Sequence, residues 1–202
     1  MISVGIDVGG TFGKIGLVTP SGSIARSVRI PTEARKGPAD FVRRATAILK
    51  EWRFGSIGLG LAGAVDAKTG TLLFAPNLGW TGYSFGKAFK RIFNVPVVID
   101  NDANVAVWGG YVVALKKKPR TVVGVTLGTG VGGGLIVDGR LHRGAAGAAG
   151  EVGHQTLEIN GPLCRCGKRG CLEAYAGASG IARIAARLMR RPPSPLTPQA
   201  LA

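Results

Sequence analysis

The sequence predicts an α/β protein of two lobes. Three observations point there. The chain opens on short apolar runs separated by glycine-rich turns, which read as a β-meander. The same strand, glycine-rich turn, strand unit returns near residue 128, a weak internal duplication of the one near residue 7. Stretches with apolar residues at helical spacing alternate with these runs.

Taken in order, Ile2 to Ile6 reads as a buried strand, followed by the turn Asp7-Val8-Gly9-Gly10-Thr11. Lys14 to Val18 is a second strand, and Ser21-Gly22 turns the chain into a third, Ile24 to Ile30. Ala39 to Trp52 carries apolar residues at helical spacing. Ser56 to Leu61 and Pro96 to Ile99 are further strands. Between them lies a region predicted to be loop-rich, containing Pro76-Asn77-Leu78-Gly79-Trp80. Asp102 to Leu115 is a predicted helix, and the polar run Lys116 to Pro119 ends it, dividing residues 1–115 from 116–202. Thr121 to Leu127 and Gly134 to Val137 form the second meander, with Asp138-Gly139 as a hairpin signal. Ser179 to Arg191 is an amphipathic helix, with Ile181, Ile184, Ala185 and Leu188 on one face. Pro192-Pro193-Ser194-Pro195 reads as a linker. Thr197 and Pro198 then form the start signal of another helix, so the chain reads as one that stops where a helix should begin. A short disordered tail is the other reading.

The 202 residues suit one large domain or two small ones. With 46% hydrophobic and 18% charged residues, a buried core is expected and general disorder is not. The net charge of +15 attracts anions such as nucleotides and sugar phosphates. Arg43-Arg44, Lys116-Lys117-Lys118 and Arg190-Arg191 are scattered, which reads as a solvated basic surface rather than a nucleic-acid face. No apolar stretch is long enough to span a bilayer, and no basic region precedes an apolar run at the N-terminus. A soluble cytoplasmic protein is expected.

All three cysteines and one of the two histidines fall together, at His154, Cys164, Cys166 and Cys171. Three thiols and an imidazole make a full tetrahedral ligand set for a structural zinc ion. The alternative is three ordinary thiols beside an unrelated histidine. The close Cys164-x-Cys166-x₄-Cys171 spacing, with Gly167 and Gly170 available for tight turns, favours zinc. Glu151 and Glu173 flank the cluster without being needed as ligands, which leaves them for a substrate. The other histidine, His142, reads as an exposed or capping residue.

Three further segments carry possible chemistry. In Asp7-x-Gly9-Gly10-Thr11, glycine N–H groups and the Thr11 hydroxyl can meet phosphate oxygens, and Asp7 can hold a Mg²⁺-bound water. A plain hairpin turn explains the same residues. Gly128, Gly130 and Gly133 make a formal GxGxxG, but a strand follows where the dinucleotide fingerprint needs a helix. A second phosphate-facing loop, with Thr129, is the better reading. Asp100-Asn101-Asp102-Ala103-Asn104 passes from strand to helix. There the helix dipole is expected to keep Asp102 ionised, able to accept a hydroxyl proton, while Asn101 can bond sugar hydroxyls. Simple N-capping is the competing reading.

Together these motifs strongly resemble the ROK family of bacterial sugar kinases and regulators. The resemblance rests on Asp7-Val8-Gly9-Gly10-Thr11, Pro76-Asn77-Leu78-x-Trp80, Asn101-Asp102-Ala103-Asn104, Leu127 to Gly134, Gly147-x-x-Gly150-Glu151-x-Gly153-His154 and Cys164-x-Cys166-Gly167-x-x-Gly170-Cys171-Leu172-Glu173. It runs from Met1 to about Ala185. It implies two lobes of ribonuclease-H-like (actin/hexokinase-type) fold with a cleft between them, the second incomplete. It implies phosphorylation of a hexose by ATP and Mg²⁺, usually at the 6-hydroxyl, with glucose the commonest substrate, and assembly into dimers or tetramers. By resemblance, Asp102 is the base and Asn101, Glu151, His154 and Glu173 are sugar ligands, with Asn77 a weaker one. His154 would share its ring between zinc and sugar. Gly9, Gly10, Thr11, Gly128, Thr129 and Gly130 would bind phosphates. Two features depart from the family pattern. Ala62 precedes Gly63 where proline is usual, and family kinases continue past this length. A sugar-responsive regulator and an inactive fragment are the alternatives.

Overall fold

The computed structural model describes residues 1–189. Arg190 and Arg191, the predicted 192–195 linker and the helix start at Thr197 lie outside the described residues. The chain divides into two compact units, Met1–Lys118 and Pro119 onward.

The first unit opens with β1 (Ser3–Val8), β2 (Phe12–Val18) and β3 (Ile24–Pro31), an antiparallel meander. β1 runs two residues further than the sequence predicts, so Asp7 and Val8 are strand residues, not turn residues. Val4, Ile6 and Val8 alternate inward, and that period carries the strand to Val8. α1 (Gly37–Leu49) carries Pro38 in its first turn, where a fixed φ suits the helix, and buries Phe41, Val42, Ala45 and Leu49. β4 (Ile57–Leu61) then joins β1 in parallel.

The region predicted to be loop-rich is ordered. It forms a three-stranded antiparallel sheet, β5 (Ala64–Asp66), β6 (Thr71–Ala75) and β7 (Trp80–Tyr83), followed by α2 (Phe85–Phe93). Strands of three to five residues between turns leave almost no period-2 signal. Phe85 and Phe89, one helical turn apart, seat α2 on the core. Asn94 ends it in the left-handed region at φ 50°.

β8 (Val97–Asn101) pairs in parallel with β4, completing the order β3-β2-β1-β4-β8. α3 (Asp102–Val113) follows at once and packs against β4 and β8. The core of this unit gathers Ile6, Ile15, Phe41, Leu59, Phe85 and Phe89, all under 4% exposed.

The second unit repeats the meander. β9 (Val122–Leu127), β10 (Val131–Val137) and β11 (Arg140–His142) form an antiparallel sheet ordered β11-β10-β9. β10 starts three residues earlier than the sequence predicts, because Gly132 and Gly133 pair with Thr126 and Val125. Asp138 and Gly139, at φ 50° and 74°, make the hairpin turn. His142 is an exposed residue at the end of β11. A loop region with a 3₁₀ turn at Val152–His154 leads to α4 (Leu172–Ala176) and α5 (Ala178–Leu188).

Candidate functional site

The first unit gathers its site residues at the C-terminal ends of β1, β4 and β8. Asp7 sits near the end of β1, in register with Lys14, and the two side chains pair at 3.6 Å in an exposed setting. The turn beyond it is pinned from outside. Thr32 donates its hydroxyl to the Gly9 carbonyl at 2.7 Å and its N–H to the Thr11 carbonyl at 2.8 Å. Thr32 is fully buried, and sequence reasoning missed it, since a lone threonine after proline carries no signal. A Cβ at Gly10 would lie 4.0 Å from the Asn77 Cβ, so Asn77, exposed on its own turn, stands beside the Gly9–Thr11 loop.

Asp102 is the first residue of α3, and Asn101 is its N-cap. The Asn101 Oδ1 accepts from the N–H groups of Ala103 at 2.9 Å and Asn104 at 3.2 Å. Its Nδ2 donates to the Gly63 carbonyl at 3.2 Å. Asn101 is thus the N-cap, and Asp102 Oδ1 also accepts the Ala103 N–H, at 2.9 Å. Behind them, buried Asn104 donates to Asp100 Oδ1 at 3.0 Å, and Asp100 also receives the Asn101 N–H at 2.9 Å. Asp100 and Asn104 thus hold the strand-to-helix corner that presents Asp102.

The pKa of Asp102 is shifted in the direction opposite to the helix-dipole expectation. Burial raises its pKa above the usual carboxylate value, the Ala103 N–H pulls it down, and the nearby Asp7 charge raises it again. The sequence argument counted the helix dipole and could not count desolvation. A carboxyl shifted upward is a better proton acceptor near neutral pH than an ordinary aspartate.

In the second unit, Gly128, Thr129 and Gly130 form the tight turn between β9 and β10, closed by the Gly128 N–H on the Gly130 carbonyl at 3.0 Å. The Ala178 N–H, at the start of α5, bonds the Gly128 carbonyl at 3.0 Å. Glu173 reaches this turn from α4. Its Oε2 accepts the Val131 N–H at 3.0 Å, and a Cβ at Gly130 would collide with that same oxygen. A side chain at 130 would therefore displace the Glu173 carboxylate from the turn. The other oxygen, Oε1, takes the Cys164 thiol at 3.6 Å. Glu173 ties the predicted phosphate loop to the cysteine cluster, a connection the spacing of the motifs does not reveal.

His154, Cys164, Cys166 and Cys171 come together, with their ligand atoms all within 4.8 Å of one another. Cys164 Sγ lies 3.7 Å from His154 Nδ1, and Cys166 Sγ lies 3.7 Å from Cys171 Sγ. Four ligands about 2.3 Å from a tetrahedral zinc stand about 3.8 Å apart, so the donor set fits that ion. A knuckle forms the site, with the Gly167 N–H on the Cys164 carbonyl at 3.0 Å and the Cys164 N–H on the Lys168 carbonyl at 2.8 Å. Burial raises the thiol pKa of Cys164 and Cys171, while the Lys168 N–H lowers that of Cys166. With Nδ1 toward the cysteines, His154 Nε2 is left 4.0 Å from Glu151 Oε2. Glu151 and the second ring nitrogen thus stand side by side.

Two meander-bearing mixed α/β units, each with a glycine turn, define the class as an actin/hexokinase-type fold of the sugar-kinase kind. The chain belongs to the ROK family, whose model matches residues 3–201. It is 37% identical over 188 residues to a glucokinase of Streptomyces coelicolor, a match covering 91% of this chain and 59% of that protein. A xylose repressor of Caldicellulosiruptor bescii is 38% identical over 135 residues, covering 67% of this chain and 34% of the repressor. Among solved structures, a ROK glucokinase of Streptomyces griseus in complex with glucose and AMPPNP superposes with a TM-score of 0.80 at 34% identity, over 94% of this chain and 62% of that one. The chain thus spans about three-fifths of the length of these kinase relatives.

Proposed function

We propose that this chain carries the catalytic residues of an ATP-dependent hexose kinase, with glucose as the first candidate substrate and the 6-hydroxyl as the acceptor. The observation that carries the reading is Asp102, a half-buried carboxyl of raised pKa at the start of α3, in a chain of this family. Asp102 takes the sugar hydroxyl proton. The hydroxyl oxygen attacks the γ-phosphorus in line, the bond to the β–γ bridging oxygen breaks, and ADP leaves. Asn101, Glu151, His154 and Glu173 hold sugar hydroxyls, with Asn77 at the margin. The Asn101 oxygen is taken up by two backbone N–H groups and one Nδ2 hydrogen by the Gly63 carbonyl, so Asn101 offers the sugar a fixed, oriented donor, while the Glu173 carboxylate, held by the Val131 N–H, keeps lone pairs to accept with. Gly9, Gly10, Thr11, Gly128, Thr129 and Gly130 receive phosphate oxygens.

Mg²⁺, when bound, would neutralise phosphate charge, and Asp7 would hold one of its waters. Zinc on His154, Cys164, Cys166 and Cys171 supplies rigidity to the loop bearing Glu151 and His154. Use of ATP suits a cytoplasmic enzyme. Among the described residues, no helix is long and apolar enough to cross a membrane.

The test is an ADP-release assay of the full chain over a panel of glucose, fructose, mannose and N-acetylated hexoses. Turnover on one of these, lost in Asp102→Ala with sugar binding kept, supports the reading. Silence on every sugar overturns it. A second reading, a sugar-responsive regulator, is favoured by the xylose repressor relative and the +15 charge. Sugar binding without ADP release, together with salt-dependent DNA binding, would select it.

A further inference from the structure

We propose that the groove between α1 and α2 is a second ligand site, distinct from the residues above, and that it takes a phosphate monoester. The groove has a volume of about 450 Å³, which is ligand-sized. Arg43, Thr46 and Lys50 line it from one face of α1 and its C-terminal cap, Arg91 from α2, and Tyr83 from the end of β7. Ala39, Val42, Ala47 and Ala88 add apolar lining. A neighbouring depression of about 380 Å³ shares Lys50 and adds Arg53 and Trp52.

The charge of this surface is one-sided. Four cations line the two depressions, and no carboxylate does. Arg43 is held by Asp40 at 2.6 Å. Lys50, Arg53 and Arg91 make no ion pair among the described residues. Concave walls lined by one sign of charge focus the field and concentrate counter-ions. Two buried polar groups of lining residues, Thr46 Oγ1 and Trp52 Nε1, have no hydrogen-bond partner. Orphaned buried groups of this kind are rare and call for an explanation.

A phosphate monoester matches this set. It carries nearly two negative charges and three acceptor oxygens, enough for Lys50, Arg91 and the Tyr83 hydroxyl together. The groove is larger than a phosphate alone, and its apolar lining accepts a compact organic body. The same groove can act on the site already described. α1 leads into β4, whose downstream Gly63 carbonyl holds Asn101, and α2 leads into β8, which ends at Asn101 and Asp102. A ligand bracing the two helices therefore braces both strands that present the candidate base. The binding claim stands on the groove alone and does not depend on the kinase reading.

The test is lysine acetylation footprinting of the full chain, with inorganic phosphate and a hexose 6-phosphate as probes at up to ~10 mM, the range of a millimolar site. The expected result is selective protection of Lys50 against acetylation, stronger with the ester than with phosphate. That protection should persist in Thr11→Ala, which separates the groove from the glycine-turn phosphate site. In Lys50→Ala/Arg91→Ala, calorimetry should find ester binding at the groove weakened about tenfold or more, since each charge-assisted bond is worth roughly that. Equal protection by both probes would overturn the ester assignment. Absence of protection, or protection only by an acidic polypeptide such as poly-glutamate, would overturn the site.

Discussion

At the scale of single residues, Asp102 makes opposite demands on activity and stability. Burial raises its pKa in the folded chain, so the native state prefers the protonated form and binds that proton more tightly than the unfolded state. Its contribution to stability is fully present below the unfolded pKa and is lost as pH rises through the raised folded value. At neutral pH the ionised carboxylate is therefore a liability to the fold. Asp102→Asn should raise Tm at pH 7, and the gain should vanish as the pH falls below the ordinary aspartate range. Thermal melts of the two proteins from pH 3 to 8 check this, and an unchanged difference across the range would refute it. The same substitution should lower kcat by about 10²–10⁴-fold in the sugar-dependent assay while sugar affinity stays within about threefold. The position of Asp102 was legible from Asn101-Asp102-Ala103-Asn104. The direction of its shift was not, because sequence displays the helix start and hides the burial that outweighs it.

At the scale of elements, the segment from Glu151 to Glu173 has little apolar packing and carries the His154, Cys164, Cys166 and Cys171 cluster, which could hold a metal ion. Besides one 3₁₀ turn it holds two isolated bridges, Thr156 with Cys171 and Leu163 with Arg169, and its Cys164 and Cys171 form a small buried cluster with Ala174. A segment with so little buried area leans on a cross-link. Prolonged chelation should therefore lower Tm and open this segment to hydrogen exchange while the amides of β1, β4 and β8 stay protected. Uniform loss of protection across both units would contradict the assignment. The backbone makes a separate demand at Gly170, which has φ 69° and whose Cβ position would collide with the Glu158 carbonyl. Gly170→Ala should cost at least about 1–3 kcal/mol, read by denaturant unfolding. The gathering of His154, Cys164, Cys166 and Cys171 was legible because cysteine and histidine are rare enough for spacing alone to signal. The sheet β5–β7 and helix α2 were not. Gly63, Gly70, Gly79 and Gly82 interrupt them into pieces too short for either period, and only long-range pairing reveals that those turns join strands.

At the scale of the whole molecule, an uncovered apolar surface competes with net charge. β9 is the edge of its sheet among the described residues. Alternation along it turns Val123, Val125 and Leu127 outward, at 63%, 52% and 70% exposure. An exposed edge strand with an apolar face is a template for pairing with another chain. Against this stands the net charge of +15, which makes two copies repel. The repulsion is long-ranged and screened by salt, falling off over about 10 Å at 0.1 M ionic strength and about 3 Å at 1 M. Burial of the valines and leucine is short-ranged, and salt does not weaken it. Self-association should therefore increase from low to high salt, opposite to what a salt-bridged interface would do. Val125→Lys places a charge at the centre of the face and should shift the population toward smaller species at every salt concentration. Its side chain is half exposed and should leave Tm nearly unchanged. Sedimentation velocity of the two proteins at ~0.05 M and ~1 M salt reads the outcome. Assembly that weakens with salt, or that Val125→Lys leaves intact, would place the contact elsewhere.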